Sequence, residues 1–205
     1  TGVQTYALPI CVAGRNAKVI EMLNAAGAIP IAKVAVGALA YGDIWFGGQC
    51  RNPWNAEQGS SGSSAGSAAC VGAGVVPFAL GTETLGSLVS PAFRCGVAGI
   101  RPTFGRVSRA GVMSLSWSMD KVGVLARSAR DAGIVLGAIN GFDPEDASSV
   151  DKPFRWSHGQ DAKGLTVGYV RAWFEGKEGA EWMPVLEALK DAGVTLKELQ
   201  PPKVD

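Results

Sequence analysis

Residues 58–69 read "QGSSGSSAGSAA", five serines and three glycines in twelve positions, and the chain runs straight on into "CVGAGVV". A flexible linker of that composition separates two self-contained regions. Here the serines lead directly into a stretch whose small residues let a helix lie close against its neighbours. A phosphate-binding loop needs a lysine followed by Ser or Thr after its last glycine, and none is present. The stretch therefore reads as a built loop that feeds a tightly packed helix over residues 65–75. Taken singly, each serine there is first a helix N-cap. Ser64 and Ser67 are read that way, as supports for the loop and for the start of the helix.

The remaining chain alternates between elements. Asn16 to Ala26 predicts a helix, with Asn16 as N-cap, Val19, Ile20 and Leu23 on one face, and Gly27 as the stop. Residues 28–33 predict a buried strand, and 34–41 a short helix before a glycine-rich loop with Trp45, Gly47, Gly48 and "RNPWN". Further strands are predicted over 76–82, 97–101 and "VGVLAR", and a helix from Ser128 to Asn140. Residues 142–163 are polar, hold two prolines and read as a long surface excursion. "LTVGYV" then predicts a strand, 177–192 a helix and 194–199 a strand. The rhythm is that of an α/β domain with a mixed, mostly buried sheet covered by helices on both faces.

Composition removes several function classes. Nineteen Lys and Arg balance eighteen Asp and Glu with no basic run, so no field draws a polyanion, and no nucleic acid is expected as a partner. No apolar stretch is long enough to span a bilayer and no charged-then-apolar signal opens the chain, so no membrane association is expected and the cytoplasm is the default location. Cys11, Cys50, Cys70 and Cys95 are scattered and read as structural thiols. His158 is the sole histidine, which removes a histidine-rich metal site and a Ser-His-Asp triad. Neither a metal nor a cofactor is expected.

The serine loop is followed by "GTETLGSLVSPAFRCGVAGIRPTFGRVS", residues 81–108. Together these segments resemble the amidase signature family of serine hydrolases. The family pattern is a "GGSSGGSA"-like loop, a "GTDxGGS"-like loop, then "P-A-x-x-C-G-x-x-G-x-x-P-T-x-G-R". The matching positions are Ser61 to Ala68, Gly81 to Ser87, and Pro91 to Arg106, and Ser63 stands twenty-four positions before Ser87, the family's spacing. "AAGAIPIAKVAVGALAYGD" and "RNPWN" are similar to the family's lead-in, and "SWSMDKVGVLARSARDAGIVLGAINGFDPED" to its downstream segment.

The resemblance implies a Ser-cisSer-Lys triad. Ser87 matches the nucleophile, and Ser63, held by a cis bond after Gly62, matches the proton relay to a buried neutral lysine. Backbone N–H groups of Thr84, Leu85, Gly86 and Ser87 match the oxyanion hole. Gly62 and Ser64 match loop supports. Two positions depart from the pattern. Leu85 replaces the first glycine of the pair before the nucleophile, so the loop must suit an L-residue there, and Val89 stands where the family often has Arg.

The family's lysine lies further upstream of the bridging serine than the sixty-two residues that precede Ser63 here, so the catalytic lysine is expected to be absent from this chain. Lys33 is the nearest substitute and reads as a strand-end lysine. Residues 1–10, "TGVQTYALPI", match nothing in the family and resemble translated library-adapter sequence, a foreign or unstructured lead-in; residues 11–205 form the expected partial amidase domain, with serine loops at 58–69 and 81–91. The implied function is hydrolysis of a small-molecule amide, with the fragment itself inactive and a homodimer open. Two alternatives stand beside it: the amidase component of a glutamine-dependent tRNA amidotransferase, and a non-catalytic amidase-like binding protein.

Overall fold

The structure is a computed structural model that describes residues 14–156, 159 and 161–201. The lead-in 1–10 and His158 lie outside the described residues. The chain forms two compact units, residues 1–156 and 157–205.

In the first unit, helix α1 (Lys18–Ala25) is followed by two small hairpins, β1 (Ile44–Trp45) with β2 (Gly48–Gln49) and β3 (Arg51–Asn52) with β4 (Asn55–Gly59). Then come α2 (Ala65–Gly72), β5 (Phe78–Glu83), α3 (Val89–Arg94), β6 (Ala98–Ile100), β7 (Lys121–Ala126) and α4 (Ala129–Ile139). The central sheet has the order β5-β7-β6, and β7 is antiparallel to both neighbours. The β5–α3–β6 segment is therefore a parallel crossover whose gap is filled by a strand from later in the chain.

Strand β7 shows why helices cover both faces. Side chains alternate along a strand, and both sets are buried here. Val122, Val124 and Ala126 pack with Val19 and Leu23 of α1 and with Val135, Leu136 and Ile139 of α4. Leu125 points the other way, into Ala68 and Val71 of α2 and Leu88, Ala92 and Cys95 around α3. At about 25 cal/mol per Å² of apolar surface, such two-sided burial is the main stabilising term of this unit. The expected mixed α/β architecture with a buried sheet is what the fold has.

Three local expectations are corrected. Residues 28–33 form no strand, because no strand among the described residues offers them a ladder; Ile29 is 83% and Ile31 68% exposed. Ala17, not Asn16, is the N-cap of α1, and no side chain caps it. The predicted short helix over 34–41 reduces to one 3₁₀ turn, Ala38–Ala40. By contrast, Ser128 caps α4 by accepting the Asp131 N–H.

Residues 142–156 contain neither helix nor strand but are fastened by buried polar groups. Ser108 donates to Asp143, and Asp146 accepts the Arg109 N–H at 2.7 Å. Burial works to raise the Asp146 carboxyl, and hydrogen bonds from Ser148 and Arg109 overcome it and hold it below its ordinary value.

In the second unit, β8 (Thr166–Tyr169) and β9 (Thr195–Glu198) pair in parallel across α5 (Gly176–Ala180) and α6 (Met183–Asp191). The single helix predicted over 177–192 is two, since Pro184 sits in the first turn of α6, where its missing N–H costs nothing.

Candidate active site

The site is the meeting of two loops. The first leaves β4 and enters α2; the second leaves β5 and enters α3. Hairpin β3–β4 holds the C-terminal end of α3, with Asn52 Nδ2 donating to Arg94 O at 3.1 Å and Trp54 Nε1 to Cys95 O at 2.7 Å. This is what "RNPWN" contributes to the fold.

In the first loop Ser61 has φ 61°, a left-handed conformation that favours glycine. Its N–H donates to Asp43 at 2.9 Å, which fastens the turn. The Gly62–Ser63 peptide is cis. Ser63 is 1% exposed, and its carbonyl accepts the N–H groups of Gly37 (2.9 Å) and Ala65 (2.7 Å). Ser64 occupies the N-cap position of α2, yet its hydroxyl does not cap the helix. Instead Ser64 Oγ donates to Thr82 O and accepts from Thr82 N–H, both at 3.0 Å. Ser67 Oγ likewise donates to Leu80 O at 2.6 Å. Two serines read as helix starters are thus bonded to strand β5.

In the second loop the left-handed turn falls on Gly86 (φ 91°), so Leu85 keeps a negative φ and its side chain stands 82% exposed. Ser87 is 7% exposed, and its carbonyl accepts the Ser64 N–H at 3.1 Å, which joins the two loops. The hydroxyls of Ser63 and Ser87 make no hydrogen bond among the described residues. The same holds for the N–H groups of Thr84, Leu85 and Ser87, whereas that of Gly86 faces the Glu83 carboxylate.

Three groups that sequence reading missed hold this loop. Glu83, at the end of β5, has a fully buried side chain; Oε2 accepts the N–H groups of Leu88 (2.8 Å) and Val89 (3.0 Å), and Oε1 faces Arg101 at 3.3 Å. Burial works to raise its carboxyl, but those amides, with Gly86 and Arg101, outweigh it and hold it below the ordinary value. Asp120 accepts the Thr84 hydroxyl and the Leu115 and Ser116 N–H groups. Lys121 Nζ donates to Thr84 O at 2.9 Å. An acidic residue closing the apolar strand "FALGTE" was the one available signal for Glu83.

Lys33 does not join these groups. It is exposed in a segment with no strand, which corrects its reading as a strand-end lysine. That segment borders an apolar cavity of about 460 Å³, which also reaches Ser64, Gly81 and Thr82. No group of three or more His, Cys, Asp or Glu side chains among the described residues could hold a metal ion, and no helix there is long and apolar enough to cross a membrane.

Two serine loops pinned across a helix-covered sheet define an α/β serine-site protein. A family model described as Amidase matches residues 5–205, which corrects the reading of 5–10 as matching nothing in the family, and the chain belongs to the amidase family. It is 38% identical over 199 residues to the A subunit of the glutamyl-tRNA(Gln) amidotransferase of Ectopseudomonas mendocina, covering 92% of this chain and 41% of that protein. Among solved structures, an amidase family protein from Bacillus anthracis superposes with a TM-score of 0.83 at 33% identity, over 98% of this chain and 43% of that one. The native peptide amidase of Stenotrophomonas maltophilia gives 0.77 at 31%, over 90% and 42%. The chain thus spans about two fifths of the length of the curated relatives it matches.

Proposed function

We propose that this chain carries the acyl-transfer centre of an amide hydrolase. Ser87 Oγ attacks the amide carbonyl carbon, the C–N bond breaks, and the amine leaves with a proton. Water then cleaves the Ser87 ester to give the carboxylate. Ser63 passes the proton of Ser87 toward a base, and the unpaired N–H groups of the 84–87 loop receive the charge that develops on the carbonyl oxygen. Gly86 would share its N–H with Glu83. The observation that carries this reading is the Ser64 N–H to Ser87 carbonyl bond, which brings the buried Ser63 next to the Ser87 loop while both hydroxyls stay unengaged. Lys33 is exposed and is not that base.

The test is labelling of the protein, at its full encoded length, with a fluorophosphonate probe. One serine should react, and Ser87→Ala should abolish the reaction while Ser64→Ala leaves it in place. Labelling that survives Ser87→Ala overturns the assignment.

A second reading is the amidase component of a glutamine-dependent tRNA amidotransferase. The relatives named as glutamyl-tRNA(Gln) amidotransferase A subunits, at 38% and 42% identity, favour it. Ammonia release from glutamine by Ser87, against turnover of neutral carboxamides without it, separates the two.

A further inference from the structure

Lys121 lies outside the serine motifs, yet it reaches the nucleophile loop. It stands directly opposite Glu83 in the β5–β7 ladder, at the point where β5 gives way to the loop. Its ammonium does not pair with a carboxylate among the described residues; the Glu83 carboxylate is engaged by Arg101 and two backbone N–H groups, and that of neighbouring Asp120 by Thr84, Leu115 and Ser116. What Lys121 Nζ does contact is the carbonyl oxygen of Thr84, at 2.9 Å.

That carbonyl belongs to the same peptide unit as the Leu85 N–H. In a trans peptide the C=O and N–H point in opposite directions, so the Leu85 N–H is aimed away from the ammonium. It has no partner among the described residues. A charged donor on the carbonyl draws electron density out of the peptide nitrogen and makes its N–H a stronger donor, as in any hydrogen-bonded chain of amides.

We propose that Lys121 polarises the Thr84–Leu85 peptide and so strengthens the Leu85 N–H as a donor to the oxyanion formed at Ser87. Lys121 is then a positioning residue that acts through the backbone, and its role rests on the acyl-transfer reading above.

The experiment compares the protein at its full encoded length with its Lys121→Met, Lys121→Arg and Lys121→Gln variants. Fluorophosphonate labelling of Ser87 should slow by about fivefold in Lys121→Met, the size expected when one hydrogen bond in a chain loses its charged neighbour. Lys121→Arg should restore most of the rate. The Leu85 amide proton should move upfield in Lys121→Met and stay in place in Lys121→Arg, which a purely structural role would not produce. If Lys121→Met disturbs the rest of the amide spectrum, Lys121→Gln replaces it, since it can keep a neutral donor on Thr84 and should still slow labelling. An unchanged labelling rate with an unmoved Leu85 amide overturns the proposal. A Leu85 amide that follows the charge in a chain whose Ser87 takes no label overturns the acyl-transfer reading and leaves Lys121 no oxyanion to serve.

Discussion

Glu83→Gln isolates the charge of the buried clamp while keeping its shape. In the parent, one carboxylate oxygen accepts two backbone N–H groups, from Leu88 and Val89. Hydrogen bonds to a charged acceptor contribute roughly 1.5–3 kcal/mol and neutral ones roughly 0.5–1.5, so the exchange costs about 2 kcal/mol for the pair. The Arg101 contact adds little, because that guanidinium is half exposed and screened by solvent. For a chain of this size a loss of about 2 kcal/mol lowers Tm by about 4–8 °C.

The pH dependence has a definite sign. The folded Glu83 carboxyl lies below its ordinary value, so its contribution is complete above the unfolded pKa of about 4.3 and is lost as pH falls through the folded one. The parent and Glu83→Gln should therefore differ most at neutral pH and converge on acidification. Thermal unfolding followed by circular dichroism at about pH 7 and about pH 3.5, one on each side of the unfolded pKa, tests this. A variant that melts with the parent at neutral pH, or a gap of equal width at both, would refute the clamp.

Gly81→Ala should destabilise by about 1–3 kcal/mol, the usual cost of overpacking a closed site, since a Cβ there would lie 2.6 Å from Ser64 Oγ and 2.7 Å from Leu88 Cδ2. A denaturant midpoint equal to the parent's counts against the packing described between the serine loop and β5. Burial pushes the Cys95 thiol up to about 11, so Cys95 should resist an aromatic disulfide reagent at mild alkaline pH until the chain unfolds. Mass mapping that finds Cys95 modified ahead of Cys50 would contradict its place in the core.

The parts of this fold that could be read from the sequence are those whose cause is local. Helix α4 carries its own cap at Ser128 and its own apolar face, and β7 announces itself by a run of Val, Leu and Ala. Residues 28–33 misled for the complementary reason: an apolar run makes a strand only where a partner stands beside it, and that is a property of distant chain. Pro184 carries a local signal for the break before α6, because its ring suits the first turn of a helix. At the site, Ser63 and Ser87 stood out because their loops recur as a spaced pattern. Glu83, Asp120 and Lys121 did not, since most of their partners are backbone groups, up to thirty-seven positions away, and a backbone N–H or carbonyl leaves no mark in the sequence.

Among the described residues strand β5 is the edge of its sheet, and its outward polar groups meet hydroxyls instead of another strand. Ser64 takes both the N–H and the carbonyl of Thr82, and Ser67 takes the carbonyl of Leu80. An unguarded edge is a template on which a second chain can add a strand. The serine loop and the first turns of α2 thus also guard this edge against self-association. Alanine at both positions would leave a strand that still pairs with β7 but offers its other side to any extended peptide nearby.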